Sequence, residues 1–98
     1  MANKLYILVS SDLTKSQQAV QACHVVAEFM KFDDCRKQWP NETIVLLKVN
    51  DLPGWFHKMD DISESWIEFF EPDLDDKLTA IAAWGPQLES VLKNLPLL

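Results

Sequence analysis

Two short apolar runs set the frame of this chain: KLYILVS at Lys4–Ser10 and TIVLLKV at Thr43–Val49, each rich in strand formers and too short for a helix of its own. Between them, Ala19, Val20, Ala22, Cys23, Val26, Ala27 and Met30 recur at helical spacing, and Thr14-x-x-Gln17 fits a capping box. A helix from about Ser16 to Phe32 follows. A strand, a helix and a second strand in this order close as a parallel pair with a right-handed crossover.

The remainder fills out the same architecture. Residues 33 to 42 read as a polar connection, and Asn50 or Asp51 ahead of Pro53 starts a short second helix. Trp66–Phe70 and Leu78–Trp84 read as two more strands around the loop EPDLDD, and Pro86–Lys93 as a last helix. The link between those two strands is too short for a crossover, so that pair is antiparallel. The expectation is an α/β fold: a single three-layer domain with a four-stranded mixed sheet and helices packed on it.

Nine basic residues against fifteen acidic ones give a net charge of −6, which argues against nonspecific nucleic-acid binding. The charge is uneven: residues 1 to 50 carry six bases and five acids, whereas 51 to 98 carry three bases and ten acids, eight of them between Asp60 and Asp76. An anionic ligand would approach the N-terminal half. Cys23 and Cys35 make neither a disulfide framework nor a C-x-x-C pair, so both are expected as free thiols. No segment approaches the ~20 apolar residues of a membrane span, and the opening MANKLYILVSS lacks the pattern of a cleaved leader. The chain reads as cytoplasmic, with no membrane partner.

On a helical wheel Ala19, Cys23, Val26 and Met30 point one way, and Gln17, Gln21, His24 and Glu28 form a polar stripe on the other. Cys23 and His24 therefore diverge and do not form a nucleophile with its base. Cys23 is expected in the core, chemically quiet. His24 and Glu28 supply only two ligands, short of a zinc pattern, so no metal is expected. What singles out the stripe is its place: it starts directly after a buried strand, beneath Ser10-Ser11-Asp12-Leu13-Thr14-Lys15. Open α/β sheets bind ligands outside the carboxyl ends of their strands, where helix N-termini offer free N–H groups. No glycine-rich phosphate motif is present, so a nucleotide cradle of either standard type is not expected.

The strand LYILVSSDL, the loop with Lys15, the helix QQAVQACHVVAEFM, the strand TIVLLKV and the closing LTAIAAWGP resemble the type-two (archaeal and eukaryotic) peptidyl-tRNA hydrolase superfamily, in a short, divergent branch. The match runs from about Lys4 to Leu98; Asp12-Leu13, Gln21-x-x-His24 and Gly85-Pro86 coincide with the family's pattern. The resemblance implies hydrolysis of the ester between a peptide, or an N-blocked amino acid, and the 3′ ribose of a tRNA, without metal or other cofactor. This loop keeps Lys15 alone where the family carries several lysines, and EFFEPD at Glu68–Asp73 falls where the family has its aspartate, leaving Glu68 or Glu71 as the acid. On that reading Lys15 and the helix start hold the oxyanion or a phosphate, His24 or Glu71 is the base, and Gln21 orients. Ser11, Asp12, Ser16 and Gln17 contact the substrate, and tRNA is the partner.

Two rivals stand beside it. One is a noncatalytic RNA- or protein-binding module using Trp39, Trp55 or Trp66 as exposed aromatics. The other takes Glu71, Asp73, Asp75 and Asp76 as a calcium or magnesium site. A homodimer is left open.

Overall fold

A computed structural model of the chain describes residues 3–98. Strand β1 (Lys4–Ser10) and strand β2 (Thr43–Val49) pair in parallel, in register from Lys4 opposite Thr43 to Ser10 opposite Val49. Strand β4 (Lys77–Trp84) lies on the other side of β1 and antiparallel to it, and strand β3 (Ser65–Glu71) is antiparallel to β4 at the outside. The order is β2-β1-β4-β3, a mixed four-stranded sheet. It follows that β1, β2 and β3 run in one direction and β4 in the other.

Helices cover both faces. Strand alternation sends Leu5, Ile7 and Val9 of β1 to one side, with Ala80 and Ala82 of β4, where they meet Ala22, Val25 and Phe29 of helix α1 (Lys15–Phe29). Tyr6 and Leu8 go to the other side with Ile81 and Ala83. There they meet Leu52 and Met59 of α3 (Leu52–Ile62) and Leu88 and Leu92 of α4 (Leu88–Leu92). Burial on both faces is why β1 reads as an unbroken apolar run.

Helix α1 departs from the sequence expectation in its face and its end. Thr14 is the N-cap, its Oγ1 accepting from Gln17 N at 3.2 Å, and the helix stops at Phe29 rather than Phe32. The buried positions are Gln18, Gln21, Ala22, Val25 and Phe29, whereas Ala19 and Cys23 are exposed and Val26 and Met30 are only partly covered. The expected stripe through Ala19 and Cys23 is wrong by about one residue's rotation. Burying Phe29 and Val25 removes more apolar surface than burying an alanine and a cysteine. The two glutamines on that face are tolerated because their amides find partners.

Residues read as a polar connection contain helix α2 (Asp33–Gln38), with Asp33 and Asp34 in its first turn and Arg36 and Lys37 in its last, both favourable to the helix dipole. It buries Cys35, whereas Cys23, expected in the core, is exposed. Trp39 follows, 1 % exposed, its Nε1 donating to the Thr43 carbonyl at 3.0 Å and its ring edge-on to Phe29. Trp39 is therefore a core residue and not an exposed platform. Asp51 caps α3 by accepting from Gly54 N at 3.1 Å, as the Asp51-Leu-Pro53 pattern predicts.

Two details position the edges of the sheet. Residues 96–98 lie along the outer edge of β2: Lys48 N donates to the Pro96 carbonyl and Leu98 N to the Leu46 carbonyl, each at 3.0 Å. At the β3–β4 hairpin a 3-10 turn (Pro72–Leu74) leads into Asp75 and Asp76, both left-handed, a conformation that aspartate tolerates. No helix of the described residues is long and apolar enough to cross a membrane.

Candidate functional site

The strand directions gather three loops at one edge of the sheet. β1, β2 and β3 end there at Ser10, Val49 and Glu71, and β4 begins there at Lys77. The loop after β1 is tied to its neighbour, with Ser11 N donating to the Val49 carbonyl and Ser11 Oγ to Asn50 Oδ1, both at 2.8 Å. Asp12 is held from two sides: Ser10 Oγ donates to its Oδ1 and Lys77 Nζ to its Oδ2, the latter an ion pair. The Lys77 hydrogen bond, helped by that of Ser10, keeps the Asp12 carboxyl below its ordinary 3.8. Lys77 is absent from the sequence reading. The signal for it is the antiparallel β3–β4 pair, which returns the chain to the edge where β1 ends.

Lys15 opens α1, exposed, and pairs with no carboxylate among the described residues. The first turn of α1 carries no acid, so the positive end of the helix dipole is uncompensated there. Ser16 and Gln17 are exposed beside it.

Along the stripe, Gln21 and His24 meet the β3–β4 pair, but only Gln21 is buried; Gln17 and His24 remain exposed. Gln21 is 1 % exposed and accepts from Thr79 Oγ1 at 2.7 Å, while its Nε2 donates to Gln17 Oε1 at 3.4 Å. The His24 ring stacks on Phe69, centroids 4.8 Å apart and planes 7° from parallel. Glu71, two residues beyond Phe69 and therefore on the same face of β3, is 8 % exposed at the strand end. A buried hydrogen-bond chain thus runs from Thr79 through Gln21 to Gln17 at the surface. Gln21 reaches solvent only through Gln17.

The expected residues are brought to one end of the α1 side of the sheet, but not into one closed cluster. No hydrogen bond or ion pair among the described residues joins Lys15, His24 and Glu71. Nor do Glu71, Asp73, Asp75 and Asp76 converge: no group of three or more His, Cys, Asp or Glu side chains that could hold a metal occurs among the described residues. Two surface hollows lie at the far edge of the sheet. One, of about 420 Å³, is lined by Tyr6, Glu64, Trp84 and Pro86; the other, of about 330 Å³, by Val45, Leu47, Leu92 and Leu95. Lys4 and Glu89, an ion pair at 3.3 Å, border both. No family model matches the chain, and no curated protein matches it.

Proposed function

We propose that the edge formed by the loop after β1, the start of α1 and the end of β3 hydrolyses the ester joining a peptide or N-blocked amino acid to tRNA, as a peptidyl-tRNA hydrolase-like protein. The observation that carries this reading is the contrast between two charges at that edge. Asp12 is neutralised by Lys77, and Lys15 stands unpaired at an acid-free helix start. A phosphate of the RNA end, or the oxyanion formed when water attacks the ester carbonyl, meets one free cation and no free anion of the loop. The resemblance of residues 4–98 to the type-two hydrolases supports the substrate class.

In the reaction, water attacks the carbonyl carbon, the bond to the ribose 3′ oxygen breaks, and the products are a free carboxylate and tRNA. His24 or Glu71 takes the water's proton, and Lys15 with Ser16 offsets the charge on the carbonyl oxygen. Gln17, held by Gln21, orients the water, and Ser11 and Asp12 shape the loop against the RNA end. No metal or cofactor is required, because an aminoacyl ester is already activated.

The test is release of tRNA from N-acetyl-aminoacyl-tRNA by purified protein, beside Lys15→Ala, His24→Ala and Glu71→Gln. Removing Lys15 should slow turnover by about 100-fold, and removing the true base by about 100-fold or more. Turnover indifferent to all three substitutions, or no turnover above the blank, contradicts the reading.

A further inference from the structure

The two edges of the sheet are treated differently. The outer edge of β2 is covered by residues 96–98, whereas β3 is outermost on its side and its outer edge has no ladder partner among the described residues. An uncovered strand edge presents a row of free N–H and C=O groups that another chain can pair with.

The face of β3 turned away from α1 is only partly covered. It carries Trp66, Glu68 and Phe70, and α3 reaches it through Phe56, which stands edge-on to Trp66 at 5.3 Å and to Phe70 at 6.3 Å, and through Asp60, which accepts from Trp66 Nε1 at 3.0 Å. Trp66 remains half-buried, and Phe70 is 43 % exposed. The rim of this surface is acidic and unpaired. Asp60, Glu64, Glu68, Asp73, Asp75 and Asp76 enter none of the ion pairs among the described residues.

We propose that the outer edge of β3 is a docking surface for an extended, basic segment of a partner protein, which adds as an outer strand and lays lysine or arginine side chains over Trp66, Glu68 and Phe70. Main-chain pairing supplies the attachment, and alternate side chains supply the choice of partner. On the aromatic side a basic residue meets both the Glu68 carboxylate and ring faces; elsewhere on α3 the same kind of contact already occurs, with Lys58 Nζ 4.8 Å from the centre of the Trp55 ring. On the other side the segment's apolar residues continue the row of Ile67 and Phe69. Charge selects this occupant over its competitors. A second copy pairing β3 on β3 would set acid beside acid, which destabilises cross-strand pairs. RNA would bring phosphates against an unpaired acidic rim. This surface adjoins the proposed ester site at Glu71, the end of β3, but its outer edge takes no part in the proposed ester chemistry, so either reading can fail without the other.

The test uses the full chain and a synthetic capped peptide alternating valine and lysine. Two control peptides go beside it: one with glutamate for lysine, and one with alternate backbone amides N-methylated so that the ladder cannot form. Titration calorimetry gives affinity and amide chemical shifts give position. The lysine peptide should bind with shifts centred on residues 64–71, about tenfold or more tighter than either control, and more weakly as salt rises. Glu68→Lys, at a half-exposed position, should weaken it about three- to tenfold with an unchanged melting temperature. Equal binding of the glutamate peptide, full binding of the N-methylated one, shifts centred elsewhere, or no binding at millimolar peptide overturns the proposal. So does self-association of the protein through β3 in a sedimentation experiment.

Discussion

Thr79 Oγ1 donates a 2.7 Å hydrogen bond to Gln21 Oε1 with both residues sealed from solvent, at 0 % and 1 % exposure. The bond exists because β4 carries one extra residue: Phe69 pairs with Ala80 and Phe70 with Leu78, leaving Thr79 as the bulge between them. Leu78 packs towards α3 while Thr79 and Ala80 both face α1, so the bulge turns a hydroxyl that strict alternation would send the other way.

Replacing Thr79 by valine keeps the shape and strands the Gln21 oxygen in the core. We expect a loss of about 1–3 kcal/mol in urea unfolding. The double variant Thr79→Val with Gln21→Leu should cost less than the sum of the two single changes, because it leaves no orphaned partner. Additive costs would show that the bond does not couple α1 to β4.

The rotated face of α1 makes opposite predictions for neighbouring residues. Val25→Asp buries a charge against β1 and should cost about 3 kcal/mol or more, whereas Ala19→Asp, on the exposed side, should stay within about 0.5 kcal/mol. Equal melting temperatures for the two variants would contradict this orientation.

The same rotation sorts the thiols. Cys23 is exposed and Cys35 buried, and burial pushes the Cys35 thiol above its ordinary value. In folded protein a thiol reagent should modify Cys23 readily and leave Cys35 unmodified until unfolding. Fast labelling of Cys35 would mean that α2 does not cover it.

The ion pair at the loop has a pH signature. Lys77 and Ser10 hold the folded Asp12 carboxyl below 3.8, so its contribution to stability is complete above that ordinary value and is lost as pH falls through the lower folded one. Both side chains are substantially exposed, at 41 % and 58 %, so screening limits the contribution to about 0.5 kcal/mol. Lys77→Ala should therefore be slightly destabilised at neutral pH and equal to the parent in strong acid. NMR titration of Asp12 should move up towards 3.8. A titration unchanged by the substitution would show that Lys77 does not govern Asp12.

The strands were legible because their signal is local: Lys4–Ser10 and Thr43–Val49 are apolar runs that need no partner to be recognised, and a short link forces an antiparallel hairpin. The face of α1 was not legible, since Ala19, Cys23, Val26 and Met30 have the same spacing as Gln18, Ala22, Val25 and Phe29, and the choice depends on Thr79 donating its hydroxyl to the Gln21 amide oxygen across the core. Helix α2 was hidden in DDCRKQ, a polar stretch whose helix signal is charge order and one buried cysteine. At the site, the loop and Lys15 could be picked out from position alone. Lys77 could not, because only the completed sheet brings β4 beside the end of β1.

The central claim is that this protein engages its ligand where β1 meets α1. Amide chemical-shift mapping with a short CCA-ended RNA tests it most directly. We predict shifts at Ser11, Asp12, Lys15, Ser16 and Gln17, with a shallow dependence on salt because one lysine neutralises few phosphates, and their loss in Lys15→Ala. Shifts confined to Asp60–Asp76 or to the hollows beside Lys4 and Glu89, with Lys15 and Gln17 silent, would contradict it.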